Sequence, residues 1–189
     1  MEQPDRYQQR YLEHQQRKRT VLVGLLQERH SERAFADKPL GPELHAEFAS
    51  AYERSPSSCD RRGVTYTTVT DRDRLELLGG MLVGGVGWVH RAPVVLLLFA
   101  DLTAYKAPGE ATRMPYLDAG VIVGQWGLTA AALGLVGCFV NPNVREMNQP
   151  HFMDIFAPGW SVGATSAFCG AYAVGHPREE IPPWVLETS

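Results

Sequence analysis

Apolar positions along the chain change their spacing several times, and each change marks a new element. Residues 6 to 19 are nearly all polar, with Tyr7, Tyr11 and Leu12 the only large apolar groups, before Val21, Leu22, Leu25 and Leu26 supply a helical stripe. This predicts one helix with a polar outer half. Gly41-Pro42 opens a second helix, with Leu44, Phe48, Ala51 and Tyr52 on one face and Ser55-Pro56 closing it. Val64 to Thr70 is rich in threonine and valine and predicts a strand. Thr70 or Asp71 can then cap a short helix containing Leu75, Leu77 and Leu78. The glycines from Gly79 to Gly87 read as a flexible connection, because they match neither a dinucleotide-binding nor a P-loop pattern.

Pro93 to Ala100 is a continuous apolar run of the length expected for a strand buried on both faces, which places it at the centre of a sheet. Residues 102 to 115, with Pro108, Gly109 and Pro115, read as a loop, either a lid or a plain connection. Ala119 to Val140 is 22 residues without a charge, which meets the length criterion for a membrane helix. Its five glycines, with Gln125 and Thr129 and no flanking basic cluster, argue against insertion. A helix to about Gly134 and a buried strand from Val136 to Val140 is the expectation, with Gly120 and Gly124 allowing another backbone close. A last strand from about Ala164 to Val174 follows the Pro158-Gly159 turn. The class is α+β, with residues 1–19 a polar helical extension and 20–189 a single domain.

Composition narrows the function. At 189 residues, with 44% hydrophobic and 21% charged, the chain can bury one core unaided. A net charge of -3 offers no field for nucleic acid or an anionic membrane surface, so a small molecule is the expected partner. Cys59, Cys138 and Cys169 form no C-x-x-C pair, and Met1 to Asp5 lacks the order of a secretory signal, so a reducing cytoplasm is expected. The six histidines lack metal-ligand spacing, no nucleophile motif is present, and neither a metal nor a catalytic acid or base is assigned.

Three stretches carry chemistry. In an extended segment Arg29, Ser31 and Arg33 would project to one side, converging two guanidinium forks and a hydroxyl suited to a phosphate; a solvated charged turn is the alternative. His30 faces the other way, a structural rather than catalytic histidine. The second stretch is Ser55-Pro56-Ser57-Ser58-Cys59-Asp60-Arg61-Arg62, where Cys59 reads as a small buried side chain. The third is Gly175-His176-Pro177 after the last strand.

In order and spacing these stretches, with Ala92-Pro93 and with Asp118-Ala119-Gly120 leading to Leu133-Gly134-Leu135, resemble the nitroreductase family of flavoenzymes over roughly residues 20 to 177. The resemblance implies a mixed, mainly antiparallel sheet flanked by helices and a homodimer with FMN shared between the chains. It implies reduction of FMN by NADH or NADPH and ping-pong reoxidation by a small acceptor such as a nitroaromatic or a quinone. A flavin-dependent oxidase of a specialised substrate and a flavin-binding module without turnover are the alternatives.

By that resemblance Arg29, Ser31 and Arg33 hold the phosphate and ribityl chain, with His30 beside them. Pro56, Ser57 and Ser58 reach the flavin of the partner, and Asn141-Pro142-Asn143 lies along the ring or serves as a strand-to-helix turn capped by Asn143. Relatives continue the serine loop with Asn-x-Gln-Pro-Trp, where this chain has Asp60, Arg61, Arg62, Gly63 and Val64. Aspartate only accepts hydrogen bonds, so Asp60 either meets the flavin differently or pairs with an arginine, and Arg62 either faces the ring or makes a salt bridge. Arg178 is the candidate for the basic residue that relatives place beyond the final strand, although Glu179 and Glu180 adjoin it.

Overall fold

The computed structural model describes residues 6–107, 109–160 and 165–178. The Met1 to Asp5 segment, Pro108, the expected strand start at Ala164, and the Glu179 to Ser189 tail lie outside the described residues. The helices are α1 (Arg6–Glu28), α2 (Pro42–Glu53), α3 (Arg72–Met81), α4 (Glu110–Ala132) and α5 (Gln149–Phe156); the strands are β1 (Val64–Val69), β2 (Val94–Asp101), β3 (Val136–Val140) and β4 (Ser166–Gly175).

The sheet has the order β1-β2-β4-β3, and its three ladders are all antiparallel. The parallel contribution among the described residues is a single bridge between Ser31 and Gly137, so the sheet is more uniformly antiparallel than expected. From Val94 to Ala100 every residue of β2 is buried, because side chains alternate between two covered faces. Val95, Leu97 and Phe99 join Leu75, Leu78, Phe152 and Phe156 of α3 and α5. Val94, Leu96, Leu98 and Ala100 meet Phe48, Ile122 and Trp126 of α2 and α4. The architecture is α+β, a sheet between two helical layers.

Local signals explain most boundaries. Proline in the first turn of α2 gives up only an amide that has no helical partner there. The Asp71 carboxylate accepts the Arg74 amide at 3.0 Å, a side-chain cap for α3. Gly134 takes the left-handed conformation (φ +65) that ends α4, and the Leu135 amide reaches back to Ala130 O at 2.8 Å. The uncharged stretch is therefore a helix, a glycine turn and a strand. Among the described residues no helix is long and apolar enough to cross a membrane.

Three expectations are corrected. Residues 110 to 115 belong to α4, with Pro115 buried inside it, and the expected loop is confined to the residues before Glu110. One missing amide is tolerated there because Glu110 anchors the first turn: its Oε2 accepts from the Ala107 amide at 2.9 Å and from Arg61 Nη1 at 2.6 Å. Asn143 caps no helix: its amide bonds Asn141 O, its carbonyl accepts from the Val83 amide, and α5 begins six residues later. The Gly79 to Gly87 stretch is ordered structure: Gly79 to Met81 end α3, Val83 to Gly85 form a single helical turn, Leu82 and Gly85 are buried, and Leu82 is bridged to Val144.

α1 is continuous from Arg6 to Glu28 and buries no residue. Val21, Leu22 and Leu26 are exposed, as are Tyr116, Leu117 and Val121 on α4.

At Gly137 an added Cβ would collide with the Tyr172 hydroxyl and come within 2.8 Å of the Ala173 carbonyl oxygen. Gly137→Ala should therefore lower unfolding stability by roughly 1–3 kcal/mol. Gly80→Ala, in open space near the end of α3, should be neutral or stabilising by up to about 1 kcal/mol. Urea denaturation of both variants checks the contrast, and equal stabilities would contradict it.

Candidate functional site

The three sequence-predicted groups sit at three places around α4 and β3. Arg29 and His30 follow α1 directly, and Ser31 then lies against the outer edge of β3, where the Glu32 amide bonds Gly137 O at 3.0 Å. Arg29 rests on α4: a Cβ at Gly127 would come 3.2 Å from its Cδ, so glycine makes room for the arginine stem. The Tyr172 phenol lies in the same niche of about 20 Å³. Burial pushes that phenol up to about 12, while the neighbouring Arg29 charge acts in the opposite direction. His30 is exposed, and its Nδ1 pairs with Glu28 O at 2.9 Å.

The alternation expected across residues 29 to 33 does not hold. Glu32 Oε1 accepts from the amides of Arg33 and Ala34, at 2.7 and 2.9 Å, which bends the backbone. Arg33 then lies over the Trp88 ring, 5.4 Å from its centroid, on the α3 side of the sheet. Arg29 rests on α4 and Ser31 on the edge of β3, while Arg33 turns to Trp88. Neither arginine has a carboxylate at ion-pair distance among the described residues.

The serine loop is pinned at both ends. Arg62 Nη1 donates to Glu53 O and Ser55 O at 3.0 and 2.9 Å, closing the C-terminus of α2, and its Nε pairs with Asp60 Oδ1 at 2.8 Å. Of the readings open for Asp60 and Arg62, this is the mutual salt bridge, and both side chains stay largely exposed. The Arg62 amide bonds Ser57 Oγ at 3.0 Å. Cys59, Asp60 and Arg62 all have left-handed φ, 51°, 53° and 53°, an uncommon set for residues with side chains. That turn lifts Cys59 outward, so it is exposed, not buried as expected. Pro56 is exposed; Ser57 and Ser58 are half-buried.

Sequence reasoning missed the group beneath this loop. Asp118 of α4 is buried, 4% exposed, with Oδ1 accepting from the Ser58 amide at 2.9 Å and Ser58 Oγ at 2.8 Å. Its Oδ2 accepts from the Tyr105 hydroxyl at 2.8 Å. Burial and then this hydrogen bond push the Tyr105 phenol well above its ordinary range. Arg61 and Glu110 tie the same loop to the start of α4, and the shared hydrogen bond holds the Glu110 carboxyl below its usual range. Asp118 was legible only as the start of the uncharged helix; its partners lie 13 and 60 residues away in sequence.

Asn141 and Pro142 end β3. Gly84 makes room for the Asn141 amide, since a Cβ there would come 3.0 Å from its oxygen. Pro142 borders a cleft of about 300 Å³ lined by Val144, Gln149, Phe152, Met153 and Phe168, with Tyr116 at its edge. Arg178 is exposed beyond the Phe35–Pro177 bridge. Among the described residues no cluster could hold a metal ion.

Solved structures share this arrangement of sheet and helices. The hypothetical oxidoreductase YcnD from Bacillus subtilis is 25% identical, with a TM-score of 0.70 over 84% of this chain and 67% of that one. NfrA2 of B. megaterium is 21% identical, with a TM-score of 0.71 over the same shares. An FMN-dependent nitroreductase from Clostridium difficile R20291 is 21% identical, with a TM-score of 0.68 over 84% of this chain and 88% of that one. The chain has the fold of the nitroreductase family. A curated relative, FMN reductase [NAD(P)H] of Bacillus subtilis (strain 168), is 30% identical over 128 residues, 60% of this chain. The chain spans about half the length of that relative, 51%. No family model matches.

The three cysteines of this nitroreductase-fold chain differ in their reach. Cys138 and Cys169 are buried, and burial pushes the Cys169 thiol up to about 12, whereas Cys59 is exposed. An aromatic disulfide reagent at pH 8 should label one thiol of the native protein quickly and all three only after denaturation. Rapid labelling of two or more in the native state would contradict this burial.

Proposed function

We propose that the chain is an FMN-dependent oxidoreductase that passes reducing equivalents from NADH or NADPH to a small oxidised acceptor, nitroaromatic or quinone-like, by a ping-pong exchange, as a cytoplasmic homodimer. The observation that carries this reading is the division of the site along α4. Arg29 packs at Gly127 and the serine loop at Asp118, nine residues apart, or about 14 Å along the helix. One chain therefore offers a phosphate-binding end and a ring-binding end on separate parts of one helix, and a second copy would bring the complementary end of each. Gly120 and Gly124 lie between them with nothing among the described residues beyond their own helix turn within 4 Å of an added Cβ, beside exposed Tyr116, Leu117 and Val121. Small residues flanked by exposed apolar ones suit close approach of another helix.

The residues present fit FMN. Arg29 is exposed and has no carboxylate at ion-pair distance among the described residues, and Ser31 follows it two residues on along the edge of β3, a set that suits a phosphate. His30 flanks this pair, and Arg33 could join it by leaving Trp88. Pro56, Ser57 and Ser58 present a short-side-chain surface to the ring. Pro142, one residue after Asn141, borders the 300 Å³ cleft, whose apolar wall can cover a planar ring and keep water from it. Asp60 and Arg62 neutralise each other at the loop's outer face, and Arg178 is the basic residue proposed for the phosphate side beyond the last strand. Bound FMN supplies the hydride chemistry; the protein positions it and tunes its potential.

The visible absorption spectrum of the purified protein tests the cofactor: flavin bands are expected, and their absence after reconstitution with FMN would refute the reading. Arg29→Ala should weaken FMN binding about tenfold to a hundredfold, with a much smaller effect on riboflavin. Stable FMN that neither NADH nor NADPH reduces would favour the flavin-binding module; oxygen uptake without nicotinamide would favour the oxidase. At Gly124 an added Cβ meets nothing among the described residues, so Gly124→Leu should lower both dimer and bound flavin through the partner while leaving the unfolding stability of the monomer little changed. A monomer in light scattering that retains tightly bound FMN would refute the shared site.

A further inference from the structure

We propose that Asp118 is the positioning residue of the Pro56–Ser58 loop and fixes Ser58 as a hydrogen-bond acceptor toward the flavin; this rests on the reading that the loop meets FMN. Leaving aside the tyrosine hydroxyls, Ser55 and Asp118 are the buried polar side chains among the described residues, and both belong to this one junction of loop and helix. The Ser55 hydroxyl bonds within α2, to Ala51 O at 2.9 Å. Asp118 instead spends both oxygens on other segments. Its Oδ1 takes the Ser58 amide, which sets where the backbone lies, and the Ser58 hydroxyl, which sets the side-chain direction.

A serine hydroxyl has one proton and two lone pairs. Two acceptors lie within reach of that proton, the Asp118 carboxylate at 2.8 Å and the Met114 sulfur at 3.5 Å; the charged oxygen is much the stronger, so with the proton committed to Asp118, Ser58 Oγ can only accept from anything on its open side. The ligand group facing it is then an N–H or O–H donor, not a carbonyl. Tyr105 donates to Oδ2 at 2.8 Å and so holds the carboxylate plane from the side opposite Ser58's oxygen. Three non-glycine residues with left-handed φ follow within four positions, a backbone that persists only where its surroundings over-determine it. The Asp118 bonds on one side and Arg62 on the other supply that constraint.

The test compares the full chain with Asp118→Ala, Asp118→Asn, Tyr105→Phe and Ser58→Ala. Two measurements are made: FMN and riboflavin titrations, and hydrogen exchange of residues 57–62 without flavin. Asp118→Ala should weaken FMN and riboflavin alike, by about tenfold, because the ring contact is lost and the phosphate contact is not. Asp118→Asn, which keeps an acceptor oxygen for Ser58, should recover most of this, and Tyr105→Phe should stay within about twofold of wild type. The losses in Asp118→Ala and Ser58→Ala should not add, since they break one interaction. Exchange of residues 57–62 should quicken in Asp118→Ala.

Additive losses, or a folded Asp118→Ala chain with wild-type flavin affinities, overturn the proposal. If Asp118→Ala does not fold, unchanged affinity in Asp118→Asn combined with unchanged affinity in Ser58→Ala overturns it equally. A wild-type chain that binds neither flavin overturns the FMN reading instead; the exchange measurement then decides whether Asp118 holds the loop, and unchanged exchange overturns that.

Discussion

β2 has no solvent-facing side between Val94 and Ala100, and the remaining elements are arranged by the need to cover it. Burying each of its large apolar side chains contributes roughly 1.5–3 kcal/mol, but only if both faces are roofed and both edges are paired. β1 and β4 supply the edges, and two helical layers supply the roofs. β4, fully buried from Cys169 to Gly175, then needs a neighbour of its own, and β3 provides it. β3 in turn leaves its outer edge open to the segment after α1, and the bridge of Ser31 to Gly137 sets Arg29 against α4. The position of one candidate phosphate group thus follows from the burial of a strand two places away in the sheet.

How much of this could be read from the sequence depends on the range of the interactions involved. The Gly41-Pro42 and Asp71 helix starts, the Pro93 to Ala100 strand and the Leu133-Gly134-Leu135 turn are each set by neighbours within a few residues. The sequence is explicit about them. Pro115 misled because its cost is local, while the Glu110 contacts that offset it come partly from Arg61, 49 residues away. The alternation at residues 29 to 33 failed because the Glu32 side chain folds back on the next two amides, which periodicity does not represent. Asp118 was the least legible residue of the site. Its hydrogen-bond partners Tyr105 and Ser58 lie 13 and 60 residues away, so nothing beside it in the sequence marks it.

The same contrast separates the two arginines of the first motif. Arg29 is placed by missing side chains, since Gly127 leaves space for its stem, whereas Arg33 is placed by an aromatic face at Trp88. A stacked guanidinium still has its edge donors free. Bringing Arg33 to a phosphate beside Arg29 would require giving up that stacking, so its contribution to anion binding is smaller than the motif alone suggests.

α4 is then more than a core helix. Its 23 residues span about 34 Å, long enough to carry the serine loop near one end and Arg29 near the other. Between them its outer face is small and apolar, and its inner face is fixed by Trp126, whose indole N–H donates to Phe48 O at 3.0 Å across to α2. Rotation or sliding of α4 would break that bond and the Asp118 bonds together, because both lie on one rigid rod. The separation of Arg29 from the serine loop is therefore held constant by the core, and in the proposed dimer a second copy on the glycine face would meet a fixed spacing instead of having to create one.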